Sequence, residues 1–238
     1  MHVALLTGRA GSTIQDKNYR IINGRPMCAY PCAAANMSGI FDETYCSSND
    51  KIILDIASAY GFKAVIRPDE FATSTAQHRD VIDHFLKELL NDGLKPSRIT
   101  VLMANSATIS PADLIQANNL LDDDQYATSA VPVIEEQDHH PFRAKKLVDG
   151  ALTSYFNFDT VISTNRQQLP KNYFLTHTFW TIRLTEDGNL PVSNIAQPWT
   201  FLGNKCLPVH VASSIDVHSE QDFEKTLRWL EDNQKLVF

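Results

Sequence analysis

The chain has 238 residues, 43% of them hydrophobic and 21% charged, with a formal net charge of -7. That is enough for a full core in one large domain, and the composition is that of a soluble globular protein. The acidic balance argues against a nucleic-acid surface, and no apolar run approaches the roughly 20 residues of a membrane span.

The first residues, Met-His-Val-Ala, enter a strand directly, without the basic region or cleavage site of a signal peptide. The four cysteines, Cys28, Cys32, Cys46 and Cys206, form no CxxC pair. Free thiols in a reducing compartment, the cytoplasm, are expected.

Met1–Leu6 reads as a strand. It feeds a loop of small residues, Gly8-Arg9-Ala10-Gly11-Ser12, that has Arg9 at one end and Lys17-Asn18 beyond the other. Small residues let backbone N–H groups turn toward an anion, and the two cations flank the place where it would sit. A strand feeding such a loop commonly holds a nucleotide triphosphate. The loop is neither the three-glycine dinucleotide fingerprint nor a Walker loop, since Lys17 lacks the Gly-Lys-Ser/Thr context.

Downstream, strand-like and helical runs alternate. Pro26–Met37 has the apolar density of a helix, with Pro31 expected to kink or interrupt it. Asp50–Tyr60 has helical spacing, with Asn49 or Asp50 as cap and Gly61 as stop. Ala64–Arg67 is a strand, His78–Leu90 an amphipathic helix, and Ile99–Met103 a third strand. Ser110-Pro111-Ala112-Asp113 opens a helix to Leu121, and Ala127–Ile134 is a fourth strand. Gln137–Thr178 is polar with scattered aromatics and no clean period. Alternation resumes at His177–Leu184 and Lys205–Val211, and a last helix runs from Ser219 to about Asn233. Asp222 is read mainly as part of that helix's cap.

This order predicts an α/β fold: a mainly parallel, doubly wound sheet in one domain over 1–238, with an insertion at about 137–178 projecting as a hairpin. Arg67 follows a strand end on the edge where such sheets bind ligands. His78 and Asp80 open the long helix and are candidates to approach a nucleotide. His139 and His140 are candidates to face a second substrate.

Several stretches resemble the acylneuraminate cytidylyltransferase family. The opening Gly8-Arg9-Ala10-Gly11-Ser12 … Lys17-Asn18, then Asn23-Gly24-Arg25-Pro26-Met27-Cys28-Ala29-Tyr30 and Ala33-Ala34-Ala35, is similar to the family's opening in order and spacing. Arg67-Pro68-Asp69-Glu70-Phe71-Ala72 resembles its R-P-x-E-L-A. His140-Pro141 with Ala144 and Lys146 resembles its H-P-x-x-A-x-K stretch. Ile215-Asp216-Val217-His218 with Asp222-Phe223-Glu224 resembles its closing I-D-I-D-x-x-x-D-F-E.

The resemblance implies a nucleotide-diphospho-sugar transferase-like fold. It implies transfer of a cytidylyl group from CTP to the anomeric hydroxyl of a nonulosonic or related sugar acid, with release of pyrophosphate. Arg9 and Lys17 are then the catalytic cations. Gly8, Arg9, Ala10, Gly11, Ser12, Lys17, Asn18, Arg67 and Asn105 bind nucleotide, and His140 and Lys146 bind the sugar acid. Asp216, with His218, holds Mg²⁺, or Mn²⁺ in its place. The resemblance also implies a homodimer paired through the insertion, with Tyr173, Phe179 and Trp180 as apolar interface candidates or as core.

Three departures from the family pattern stand out. The loop Ser12–Asn18 lacks the family's Gly and Pro, is one residue shorter, and puts Asp16 beside Lys17. Met103 occupies the position of a polar Gln, leaving Asn105 as the nearest polar group. His218 replaces the second Asp of the D-x-D pair, and imidazole suits softer metals than Mg²⁺. Two other readings therefore stay open: a nucleotidyltransferase with a different acceptor, and a diverged, inactive nucleotide-binding protein.

Overall fold

The computed structural model describes residues 1–11 and 14–233. An eight-stranded sheet forms its centre. Strands β1 (His2–Thr7), β4 (Glu43–Ser48), β5 (Lys63–Ile66) and β6 (Arg98–Met103) pair in parallel in the order β6-β1-β4-β5. On the other side of β6 lies β11 (Phe179–Arg183), which runs antiparallel to both β6 and β7 (Ser129–Glu135). β10 (Tyr173–Leu175) pairs antiparallel with the far end of β7, and β12 (Cys206–His210) pairs with β7 in parallel. The sheet is thus mainly parallel, with one antiparallel lane set into it.

Period-two alternation in β1 builds both faces. Ala4 and Leu6 enter one core with helices α1 (Ala29–Ser38), α2 (Lys51–Ala59) and α4 (Pro111–Asp123). Val3 and Leu5 enter the other with α3 (His78–Asn91), whose Val81, Ile82, Phe85, Leu86 and Leu89 form one buried stripe. Phe179 and Trp180 fall on opposite faces of β11, each at most 1% exposed, so they are core; Tyr173 stays on the surface.

The caps act as the side chains dictate. Asp50 accepts from the Ile52 amide and Ser110 from the Asp113 amide. Ser219 and Asp222 form a reciprocal capping box at α5 (Glu220–Asp232). Pro26 belongs to a small hairpin, β2 (Ile21–Ile22) with β3 (Arg25–Pro26), not to the first helix. Pro31 neither kinks nor interrupts α1, because it falls in the first turn, where its missing N–H has no intrahelical partner to lose. The excursion after β7 carries a separate hairpin, β8 (Lys145–Val148) with β9 (Ala151–Ser154); β10 rejoins the main sheet by Tyr173. Cys28, Cys32 and Cys46 are buried free thiols, and Cys206 is an exposed one.

His2 makes the fold sensitive to acid. Its Nε2 pairs with Thr100 Oγ1 at 2.9 Å, and its Nδ1 is buried without a partner among the described residues. Burial first, then Arg98, lowers its pKa from 6.5 to about 3, against opposing pulls from Asp42 and Asp122. The unfolded chain takes up a proton that the folded chain refuses, so stability is full above pH 6.5 and declines as pH falls toward 3. Denaturant unfolding across that window should show the loss, on the order of a few kcal/mol. His2→Asn should flatten the slope; an unchanged slope would assign acid sensitivity elsewhere.

Candidate active site

The parallel strands deliver their following loops to one edge of the sheet. A cleft of about 530 Å³ opens there. Its walls include residues after β1, β5 and β6, the start of α3, the segment before β11 and the segment before α5.

The first loop is braced from several directions. Gly8 must lack a side chain: a Cβ there would lie 2.9 Å from Ala104 Cβ and 3.1 Å from Ile53 Cδ1. The Gly8 amide reaches Ser47 O at 3.4 Å, and the Ala10 amide donates to Asn49 Oδ1 at 3.1 Å. Asn18 Nδ2 donates to Arg9 O at 3.1 Å. Arg9 Nη1 donates to Ala10 O (3.3 Å) and Gly11 O (3.2 Å), so its guanidinium curls over its own turn. Gly8, Arg9, Lys17 and Asn18 line the cleft. Ala10 and Gly11 are not among its lining residues, and the Ala10 N–H is already used by Asn49. Ser12 lies outside the described residues.

Lys17 is an interior residue, 7% exposed, and its ammonium donates to Val217 O at 2.7 Å. Burial lowers its pKa, Asp216 pulls the other way, and Arg9 adds to the lowering. Asp16 takes a left-handed backbone conformation (φ 58°), and its carboxylate accepts from the Tyr19 hydroxyl at 2.5 Å. That acid is turned to Tyr19 and is not among the cleft-lining residues.

Arg67 is buried against the end of β4. Its Nη2 donates to Ser47 O at 2.6 Å and its Nε to Ser47 Oγ at 3.3 Å. Burial lowers its pKa to about 10, with Arg9 reinforcing, and a guanidinium at that value is still charged near neutrality.

Opposite stands Asp216. Asn105 Nδ2 donates to its Oδ1, and His218 Nε2 lies 2.8 Å from its Oδ2. The whole 215–217 segment is fastened to the loop after β6. Ser106 Oγ donates to Ile215 O (3.1 Å), and the Ile215 amide donates to Thr108 Oγ1 (2.8 Å). The Val217 amide reaches Asn105 O at 3.3 Å. Asp222 accepts from the amides of His218 and Ser219, which keeps it in the helix cap.

Sequence reasoning missed one wall. His177 and Trp199 line the cleft beside His78, with ring centroids of His177 and Trp199 5.1 Å apart. Trp180 lies beneath, edge-on to His78 at 5.1 Å and to His177 at 5.6 Å. Trp199 adopts a left-handed backbone (φ 57°), uncommon for a bulky side chain. Only that strain marks it, and it is invisible in a one-dimensional reading.

Two expected acceptor residues sit elsewhere. His140 is 3% exposed; its Nε2 pairs with Pro170 O (3.0 Å), and its Nδ1 accepts from the Phe142 amide (3.1 Å). Both ring nitrogens are therefore used in bracing the excursion. Lys146 lies on the exposed β8–β9 hairpin, paired in register with Thr153. Neither is among the residues lining this chain's cleft.

Among the described residues lining the cleft, Arg9, Lys17 and Arg67 supply three cations and Asp216 the one carboxylate. A chain of net charge -7 thus concentrates positive charge in one crevice, which suits a polyanion. No group of three His, Cys, Asp or Glu side chains gathers as a metal nest among the described residues. Asp216 nevertheless fits a hard ion in part, because Mg²⁺ is commonly held by one or two protein carboxylates, with substrate phosphates and water completing its shell.

Fold and cleft together define a mainly parallel α/β domain with a cationic crevice at the strand-end edge of its sheet. The chain belongs to the cytidylyltransferase family, whose profile matches residues 3–190. It is 38% identical over 88 residues to pseudaminic acid cytidylyltransferase of Campylobacter jejuni, a match covering 34% of this chain and 38% of that protein. It is 36% identical over 90 residues to CMP-N,N'-diacetyllegionaminic acid synthase of Legionella pneumophila, covering 37% of each. The matched stretches thus span little more than a third of these relatives' length. The solved structure of CMP:2-keto-3-deoxy-manno-octonic acid synthetase complexed with CTP shares the fold, with a TM-score of 0.66 at 15% identity over 97% of this chain and 98% of that one. No helix among the described residues is long and apolar enough to cross a membrane.

Proposed function

We propose that this protein transfers a cytidylyl group from CTP to the anomeric hydroxyl of a nonulosonic or related sugar acid and releases pyrophosphate. The observation that carries the reading is the cleft's charge pattern: Arg9, Lys17 and Arg67 around one carboxylate, at the strand-end edge where an α/β sheet binds ligands. The named activities of the similar proteins supply the base and the class of acceptor.

Phosphoryl-type transfer needs positioning and charge neutralisation more than covalent participation by protein. Lys17 offers a point charge to the phosphates and Arg9 a fork, released from its own loop carbonyls when a better acceptor arrives. Asp216 would hold Mg²⁺, or Mn²⁺, which when bound neutralises phosphate charge. Asn105 orients that carboxylate from one side and His218 from the other. Buried free thiols fit residence in the cytoplasm.

The test is pyrophosphate release from CTP with Mg²⁺ or Mn²⁺ across a panel of sugar acids. Release with a sugar acid supports the reading. Release only with other hydroxyl acceptors replaces the acceptor. CTP binding without turnover anywhere makes the chain a nucleotide-binding protein.

The same reading includes a homodimer. On the β8–β9 hairpin, Leu147 and Leu152 face each other in register at 71% and 73% exposure, with Tyr155 and Phe156 exposed nearby. Such a patch suits subunit contact. Sedimentation should give a dimer that the double substitution Leu147→Asp, Leu152→Asp converts to monomer. A wild-type monomer at micromolar concentration would refute the pairing.

A further inference from the structure

The proposed reaction leaves one chemical requirement unassigned. An attacking hydroxyl must lose its proton as its oxygen bonds to the α-phosphorus, and the described groups on the phosphate side of the cleft are poor takers. Lys17, Arg9 and Arg67 are cations. Both Asp216 oxygens are engaged, one by Asn105 and one by His218, which itself is tied to Asp216.

Two imidazoles remain, His78 and His177, and no hydrogen bond engages either ring among the described residues. They differ in setting. His78 opens α3 at the mouth of the cleft, solvent-exposed and in edge contact with Trp180; partial desolvation, then His177 and Arg67, lower its pKa. His177 is half-buried and packs against two indoles, Trp180 with ring centroids 5.6 Å away and Trp199 5.1 Å away. Its charged and titratable neighbours are His78 on α3, and Asp216 and His218 on the segment before α5.

We propose that His177 is the proton acceptor for the attacking hydroxyl of the sugar-acid substrate. As the hydroxyl oxygen bonds to the α-phosphorus, its proton passes to an imidazole nitrogen of His177. The bond from that phosphorus to the bridging oxygen breaks, and pyrophosphate leaves with the electron pair. Burial lowers the pKa of the ring, which favours the neutral form near pH 7, although Asp216 pulls the other way. The two indoles hold the ring's orientation, so the base is preset and does not depend on the substrate to aim it.

This inference rests on the cytidylyltransferase reading, and the experiment separates the two. Wild-type turnover of CTP with a sugar acid is measured first; no turnover with any acceptor overturns both. In the active enzyme, His177→Ala should lower kcat by about 10²-fold or more. CTP affinity by calorimetry should stay unchanged, and added free imidazole should restore part of the lost rate. His177→Gln, which keeps volume and hydrogen bonding but is a poor base, should lose as much and guards against a merely unfolded variant. A kcat within threefold of wild type in the glutamine variant, or a loss confined to the KM for the acceptor, overturns the assignment.

Discussion

Asp216→Asn will reduce metal-dependent turnover by roughly 10²- to 10³-fold, since a bound ion's charge stabilisation is worth several kcal/mol of barrier. The substitution is nearly isosteric, and its surroundings tolerate it. The new amide oxygen can accept from Asn105 and the new amide nitrogen can face His218, so both neighbours keep a partner. The segment also keeps its backbone ties to Ser106 and Thr108. The melting temperature should therefore move by no more than about 4 °C. Steady-state rates with varied Mg²⁺ and Mn²⁺, beside a thermal melt, check this. A variant that unfolds but keeps its rate per folded molecule would remove the carboxylate from any ligand role.

Lys17→Met should part affinity from stability. Lys17 is a cation inside the protein whose ammonium donates to Val217 O, and burial already disfavours its charge. A thioether of similar length removes that desolvation, so the fold should hold or gain slightly. The nucleotide loses a charge-assisted contact worth roughly 1.5–3 kcal/mol, a rise in CTP Kd of roughly 10- to 150-fold. Lys17→Arg should not restore binding, because a five-donor fork cannot be satisfied by one carbonyl in a closed pocket. Calorimetric CTP titration of the three proteins decides it. Equal affinities would mean that the ammonium is purely structural.

Most of the architecture was legible because it rests on local rules. The α3 stripe, the Asp50 and Ser110 caps and the Ser219–Asp222 box each show in a few consecutive residues. The α1 boundary was missed because Pro26 and Pro31 read alike in sequence. One ends a hairpin strand and the other sits where a helix has no bond to lose. The antiparallel lane of β11 was also hidden, since strand direction depends on which neighbours the chain reaches.

The cleft divides the same way. Gly8, Arg9, Lys17, Asn18, Arg67, Asn105, Asp216 and His218 all line it, and they stand in recognisable strings. His177 and Trp199 stand in irregular chain whose course is set by packing on Trp180, so no periodicity announces them. His140 shows the converse error: a histidine in a polar loop reads as a ligand group, yet its ring works as a bracket between Phe142 and Pro170.

The Lys17–Val217 and Asn105–Asp216 ties carry a consequence for biosynthesis. One wall of the crevice is made in the first 20 residues and its opposite wall some 200 residues later, joined by the Lys17–Val217 bond. A nascent polypeptide that has finished every strand still lacks the piece that closes the site. Ribosome-stalled intermediates ending before residue 214 should therefore show protease-resistant structure without retaining CTP. Competence to bind would arrive abruptly once the final helix clears the exit tunnel, so an unfinished chain would not sequester nucleotide.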